Sequence, residues 1–284
     1  MSEYSNLPEL TEFIKYILFS DYVVLDAKKK ETALSALVVA PVESGKTALI
    51  NQFSNNDGIL YLTDATAWGI QKHYLPMMRQ GRIKRIMIPD LINPTNRKKA
   101  TVDSIITFFN SYISWEGVGS IATYAMHLEL KEPINGSLLT TMATKDFKRM
   151  VKGLAAVGFL SRLMILGYSY DQFTVDTLLE DIIEGRAGWD KITLQLPEQT
   201  MRVEMDLEQA KKLTGLAKVI GQRCGASGFR ALNQLVIMCK SRALSCQRDI
   251  VNDEDVARIM WLGDRYIGNI PLDERTKKRI RSMS

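Results

Sequence analysis

Five short, almost wholly apolar runs, separated by stretches of helical periodicity, restrict this chain more than any other feature. They are Ala36–Ala40, residues 58–62, Arg85–Ile88, residues 137–141 and residues 163–168. A strand with one wet face alternates apolar and polar side chains, whereas a strand apolar throughout must be covered on both faces. Segments with apolar residues at helical spacing supply that cover, clearest at 102–112 and 147–157, with 8–18 ahead of the first run. The alternation predicts an α/β domain, a parallel sheet between two helical layers.

The pattern changes after Glu184. Residues 191–196 and 201–205 alternate apolar and polar around Pro197, which predicts a connecting hairpin. From 207 to 266 the chain reads as helix, with Asp206 capping one helix and Ser227 or Gly228 starting another. Asn252 caps a third, whose first turn is Asp253-Glu254-Asp255. The expected organisation is an α/β domain over 1–185, a connector over 186–206, a helical unit over 207–267 and a basic tail over 268–284. A length of 284 residues suits one large unit and one small one.

Composition removes several classes. With 46% hydrophobic and 24% charged residues, eight prolines and eighteen glycines, the chain is neither disordered nor fibrous. No apolar run reaches the roughly 18 residues of a membrane span, and the acidic start lacks the basic region of a secretion signal. Cys224, Cys239 and Cys246 show no metal-ligand spacing and are expected as reduced thiols in a cytoplasm. Two histidines leave little room for a histidine-based metal site, and a net charge of +5 permits a polyanionic partner without requiring one.

The strongest chemical signal follows the first run: Ala40-Pro41-Val42-Glu43-Ser44-Gly45-Lys46-Thr47, leading into Ala48 and an apolar helix start. It matches the phosphate-loop pattern G-x-x-x-x-G-K-[ST] except that Ala40 replaces the first glycine, at a strand exit where alanine fits. Loop amides from Val42 to Ala48, with the start of the following helix, would form a concave donor array for a β-phosphate. Lys46 would reach the β- and γ-phosphates, Thr47 would place its hydroxyl on Mg²⁺, and Gly45 would let backbone approach where a Cβ collides. Glu43 is expected to point outward, since a carboxylate facing inward would repel phosphate.

A second part is the run ending in Pro89-Asp90, where Asp90 would hold the Mg²⁺ hydration shell from the neighbouring strand. Pro89 lacks a ladder donor and suits a strand end. The next position, where many ATPases of this architecture carry a water-orienting glutamate, is Leu91. Hydrolysis is therefore a weaker expectation than binding. Asp64, expected to end the strand beside the phosphate-loop strand, and Glu116 are candidate substitutes, though each reads first as a solvent-facing structural acid.

In this order of parts the chain resembles the AAA+ ATPases, closest to the branch with a hairpin before sensor 1 that includes the minichromosome-maintenance helicases. The resemblance spans residues 10–265 and is most specific at the phosphate loop and two arginine segments. It implies a P-loop NTPase αβα sandwich, a small helical lid over 207–267, ATP and Mg²⁺ as ligands, and a hexameric ring or filament. Residues 63–69 and 115–122 are similar to segments of those helicases, and 124–134 falls where their DNA-facing hairpin lies. The resemblance makes Thr141 or Thr144 sensor 1, although the family's usual asparagine is absent. It makes Arg162, in Gly158-Phe159-Leu160-Ser161-Arg162, an arginine finger aimed at a neighbour's γ-phosphate. It makes Arg230, in Ser227-Gly228-Phe229-Arg230, a sensor 2 near the phosphates. Lys46, Asp90, Arg162, Thr141 and Thr144 are thus the candidate catalytic set, with Thr47 and Asp90 on the metal.

Lys28–30 and Arg97–Lys99 are compact basic runs that read first as solvated. If subunits form a ring, Tyr124 and His127 would stack on bases and Lys131 would contact phosphate. The expected function is an oligomeric ATPase working on DNA or a DNA-bound protein; the alternative is a nucleotide-gated assembly protein with slow or no hydrolysis. A small-molecule kinase explains the helical unit less well.

Overall fold

A computed structural model describes residues 7–24, 33–123, 126–185 and 188–270, with backbone alone for 121–123 and 126–128. In chain order, α1 (Pro8–Phe19) precedes β1 (Ala36–Ala40) and α2 (Lys46–Asn51). Then come β2 (Ile59–Tyr61), α3 (Ala67–His73), α4 (Leu75–Arg79), β3 (Arg85–Ile88), α5 (Ile92–Thr95) and α6 (Lys99–Tyr112). A ribbon of β4 (Ile121–Thr123) and β5 (Met126–Leu128) leads to β6 (Ser137–Ala143), α7 (Thr144–Ala156), β7 (Met164–Gly167) and α8 (Gln172–Ile183). The last four elements are α9 (Leu207–Lys212), α10 (Thr214–Cys224), α11 (Phe229–Ser245) and α12 (Asp253–Tyr266).

The five apolar runs form one sheet in the order β2-β3-β6-β1-β7, and every pairing in it is parallel. Alternate residues of β1 serve opposite faces, as a strand's period of two requires. Ala36, Val38 and Ala40 join a buried cluster with α1, α2, α10, α11 and α12. Leu37 and Val39 join another with α3, α4, α6 and α7. This is the covered α/β sheet that the apolar runs predict. Helices α10 to α12 share their buried cluster with α1 and the sheet face. The Tyr266 hydroxyl donates to Glu9 at 2.8 Å, and Arg258 pairs with Glu12, so α12 is tied to α1 by polar contacts as well.

The caps follow the sequence closely. Asp206 and Asn252 each form a capping box, and Asp255 in the first turn of α12 is fully buried against Arg242 and Arg248. Of Ser227 and Gly228, the glycine precedes α11, with φ +85°, and a Cβ there would lie 2.5 Å from the Ala217 carbonyl oxygen.

The connector differs from expectation: its two halves do not pair with each other. The Ile192 amide donates to Gln52 O at 2.8 Å and the Leu194 amide to Asn56 Oδ1 at 2.7 Å, so this half lies along the end of α2. The other half bonds Tyr22 and Val24 through Met201, and Asp249 and Val251 through Glu204. Each half therefore satisfies its backbone against a separate neighbour, which removes the driving force for a hairpin. The expected basic run at 28–30 and the tail at 273–284 lie outside the described residues.

Candidate functional site

Parallel strands deliver their C-terminal ends, and the loops that follow, to one edge of the sheet. Here the edge collects the 40–47 loop after β1, Pro89-Asp90 after β3, and Thr144 to Asp146 at the start of α7 after β6. The register aligns Ala40 with Ala143 and Ile88 with Thr140, so the three segments leave the sheet side by side. One expectation needs correction: β3 is not the neighbour of β1, because β6 lies between them. Asp90 nevertheless remains within the field of Lys46. Likewise Asp64 follows β2 at the far edge, three strands from β1, where it pairs with Arg97. Arg97, Lys98 and Lys99 are all exposed, as expected of a solvated basic run, and the Arg97–Asp64 pair is itself open to solvent.

The 40–47 loop is braced from several sides. Ser44 is buried, and its hydroxyl donates to Pro41 O at 2.8 Å. The Tyr168 and Tyr170 hydroxyls donate to Ser44 O at 2.8 and 2.9 Å. Burial raises both phenols, Tyr170 to about 12, so both remain donors across the physiological range. Gly45 has φ +78°, which favours glycine, and a Cβ there would lie 3.0 Å from the Trp189 ring, a contact the ring would have to relieve. Val42 and Glu43 are exposed, Glu43 with φ +62°, which agrees with an outward carboxylate. Thr47 is exposed and Ala48 half-buried at the start of α2.

Lys46, Asp90 and Asp146 lie close enough beside this loop to act on one another's charge. Lys46 donates to Pro41 O at 3.0 Å; burial lowers its pKa, and Asp90 and Asp146 partly offset that. Burial raises the Asp90 carboxyl, opposed by the Ile92 amide, 3.1 Å from Oδ1, and by Lys46, and reinforced by Asp146. Pro89 O accepts from Thr141 Oγ1 at 2.6 Å and from Thr47 Oγ1 at 3.4 Å. The Thr144 hydroxyl, by contrast, is buried without a hydrogen-bond partner. That distinguishes the two threonines: Thr141 is committed to the backbone, and Thr144 retains a donor.

Asp146 is the residue that sequence reasoning missed. It stands in the first turn of α7 with a side chain 17% exposed, 3.1 Å from Arg149, and its charge acts on both Lys46 and Asp90. No spacing in the sequence announces it, because its nearness to Lys46 depends on β6 lying beside β1. Leu91 is fully buried in the cluster beneath α3 and α6. Position 91 therefore faces the core, and an acid there would not reach the loop.

The two arginines lie elsewhere. Ala36 pairs with Met164, so Arg162 is level with residue 34, six residues short of Ala40, or roughly 20 Å along the strand. Arg230 donates to Ser161 Oγ at 2.6 Å, and Arg162 donates to Gly158 O at 2.7 Å. Burial lowers the Arg230 pKa, the nearby Arg162 lowers it further, and Glu116 opposes both. The expectation that Arg230 stands near its own chain's phosphate loop is therefore not met, since it packs with Arg162 at the opposite end of the sheet. Glu116, with its charge on Arg230, belongs to that end too. The β4–β5 ribbon is antiparallel, and the roles expected of the Tyr124 and His127 side chains lie outside the described residues.

Among the described residues no cluster of His, Cys, Asp and Glu can hold a metal by itself, and no helix is long and apolar enough to cross a membrane. Comparison with protein-family models finds no match for this chain, and no curated protein matches it at a significant level.

Proposed function

We propose that this protein binds ATP with Mg²⁺ at the 40–47 loop and hydrolyses it as an oligomeric ATPase of the AAA+ kind. The observation that carries the reading is that Lys46, Asp90 and Asp146 act on one another at the C-terminal edge of the sheet, beside a loop braced by Tyr168 and Tyr170 and turned by a left-handed Gly45. Lys46 and Asp90 there have pKa values displaced by burial, as reactive sites require.

The residues suit the ligands. Mg²⁺ takes oxygen donors and is commonly held by one or two carboxylates plus substrate phosphates rather than by a complete protein cage. Asp90 and the Thr47 hydroxyl fit that role, and the metal, when bound, would neutralise phosphate charge. Lys46 would exchange the Pro41 carbonyl for a phosphate oxygen, and Thr144, whose hydroxyl has no protein partner, fits the role of reading the γ-phosphate. Asp146 takes the part that Leu91 cannot, accepting the proton of the attacking water. Arg162 and Arg230, far from their own loop, suit a site on a second copy. Work on DNA or on a DNA-bound protein rests on the sequence resemblance, with the exposed Lys131 beside the β4–β5 ribbon as its structural support.

Leu91 favours a second reading, a nucleotide-gated assembly protein with slow turnover. Calorimetry with ATP and magnesium tests the shared foundation: wild type is expected to bind, and Lys46→Ala to bind at least tenfold more weakly. Wild type giving no heat would sink both readings. Steady-state phosphate release then separates them.

A further inference from the structure

Helix α8 is exposed along most of its length: of its twelve residues Asp181 alone is buried. Leu179, Ile182 and Ile183 are 54%, 62% and 84% exposed and, with Val175 one turn earlier, share one face at helical spacing. Exposed acids flank this ridge, Asp171, Asp176, Glu180 and Glu184, with no Lys or Arg from 171 to 184. Leucine and isoleucine left in water at that density mark an interaction surface.

Elsewhere on the chain, α7, β7, α10 and the start of α11 enclose a largely apolar cavity of about 640 Å³. Phe147, Val151 and Ala155 of α7 form one wall, Ile220 and Phe229 the other, and Phe229 is 80% exposed at the mouth. Its rim is basic. Arg230 lines it with Arg162 beside it, the exposed Lys148 and Lys152 adjoin its lining residues in α7, and Arg223 also lines it but is paired with Asp264 at 2.7 Å.

We propose that the α8 ridge of one copy docks into this groove of a second copy. Charge complementarity selects the occupant, since an acid-flanked apolar ridge and a base-rimmed apolar groove are both carried by this chain. α8 is not among the residues that line its own chain's groove. Because ridge and groove are different surfaces, the contact is head-to-tail, each copy keeps one free face, and assembly continues into a ring or a filament. The inference deepens the oligomer part of the proposed function and rests on that reading for one feature: the docked groove carries Arg162 and Arg230 towards the neighbour's α8, which follows the Tyr168–Tyr170 brace of the phosphate loop.

Sedimentation of the full chain, with and without ATP and magnesium, tests it through two variants. Ile182→Lys/Ile183→Lys spoils the ridge at exposed positions, and Ala155→Glu spoils the groove. Wild type should form species larger than a dimer, and each variant alone should remain monomeric, weakened at least about thirtyfold, the scale of one interface hot spot. An equal mixture of the two should form dimers and nothing larger, because each retains one intact face. Three results would overturn the inference: a wild type monomeric in both conditions, a ridge variant that assembles normally, or a mixture that stays monomeric. A groove effect without a ridge effect would assign the groove to another segment of its own chain. Calorimetric ATP binding by both variants separates this outcome from failure of the nucleotide reading, since binding should persist when assembly is lost.

Discussion

Strands β3 and β6 begin at one end of the sheet with Arg85 and Ser137, and at the other end deliver Asp90 and Thr144. At the first end the buried polar side chains among the described residues are all hydrogen-bonded. Arg85 is fully buried and donates to both Asp21 oxygens at 2.9 Å, to Leu34 O at 2.9 Å and to Ile17 O at 2.8 Å. Ser137 adds a 2.6 Å bond to Asp21, and Ser20 and Ser35 accept the Leu34 and Leu138 amides. Burial displaces charged groups at both ends, raising Asp21 as it raises Asp90 and lowering Lys84 as it lowers Lys46. At the second end, however, Lys46 and Asp90 make no ion pair to match Arg85–Asp21, and the Thr144 hydroxyl has no partner among the described residues. The same residue types are structural where their hydrogen bonds are complete and poised for a ligand where they are not.

The largest effect expected from this contrast comes from Asp21→Ala. It would leave a buried guanidinium without a counter-charge, which costs about 3–5 kcal/mol. Lys46→Ala, at the open end, should change stability by no more than about 0.5 kcal/mol. Denaturant midpoints of the two variants measure the difference directly. Equal midpoints would break the contrast between the two ends.

Much of this was legible in the sequence, for a physical reason. Short continuous apolar runs that alternate with helical segments read as doubly covered strands, so all five strands, and the caps at Asp206 and Asn252, follow from local pattern. The order of the strands does not, because it depends on which crossover each helix takes. Asp90 was therefore expected on a strand adjoining β1, Asp64 closer than it is, and Asp146 not at all. Arg230 was expected near the phosphates because the resemblance supplied its motif but not its direction. The connector's alternation suggested a hairpin, yet alternation records only that one side of a segment is covered, and here the cover is α2 and its neighbours.

Asp146 sharpens the contrast at intermediate size. If it accepts the proton of the attacking water, Asp146→Asn should lower steady-state phosphate release about a hundredfold or more while leaving ATP affinity within a fewfold of wild type. An acid serving only the start of α7 and Arg149 would instead show a modest loss of stability and unchanged turnover. The variant therefore distinguishes a proton acceptor from a helix-terminus charge, and unchanged turnover would return the chain to the slow, switch-like reading that Leu91 favours.

The smallest effect is the contribution of half-buried Asp90 to the pH dependence of stability, and its sign is opposite to that of the fully buried Asp255. Burial raises the Asp90 carboxyl, so the folded chain holds that proton more tightly than the unfolded chain, and ionised Asp90 works against the fold. Asp90→Asn should therefore raise the unfolding midpoint at neutral pH, by less than about 1 kcal/mol given solvent screening of a half-buried group. The gain should shrink as pH falls through the raised pKa of wild type, while magnesium-dependent ATP binding is weakened throughout. Asp255 runs the other way. Burial pushes its carboxyl up, but Arg248, the Asn252 amide and Arg242 hold it below the ordinary value. Its contribution is present above the unfolded pKa and is lost as pH falls, so Asp255→Asn should destabilise at neutral pH. Midpoints followed from neutral to acid pH read both signs in one experiment. A destabilising Asp90→Asn at neutral pH would mean that Asp90 is held as part of the scaffold, and the open end of the sheet would lose its distinction from the closed one.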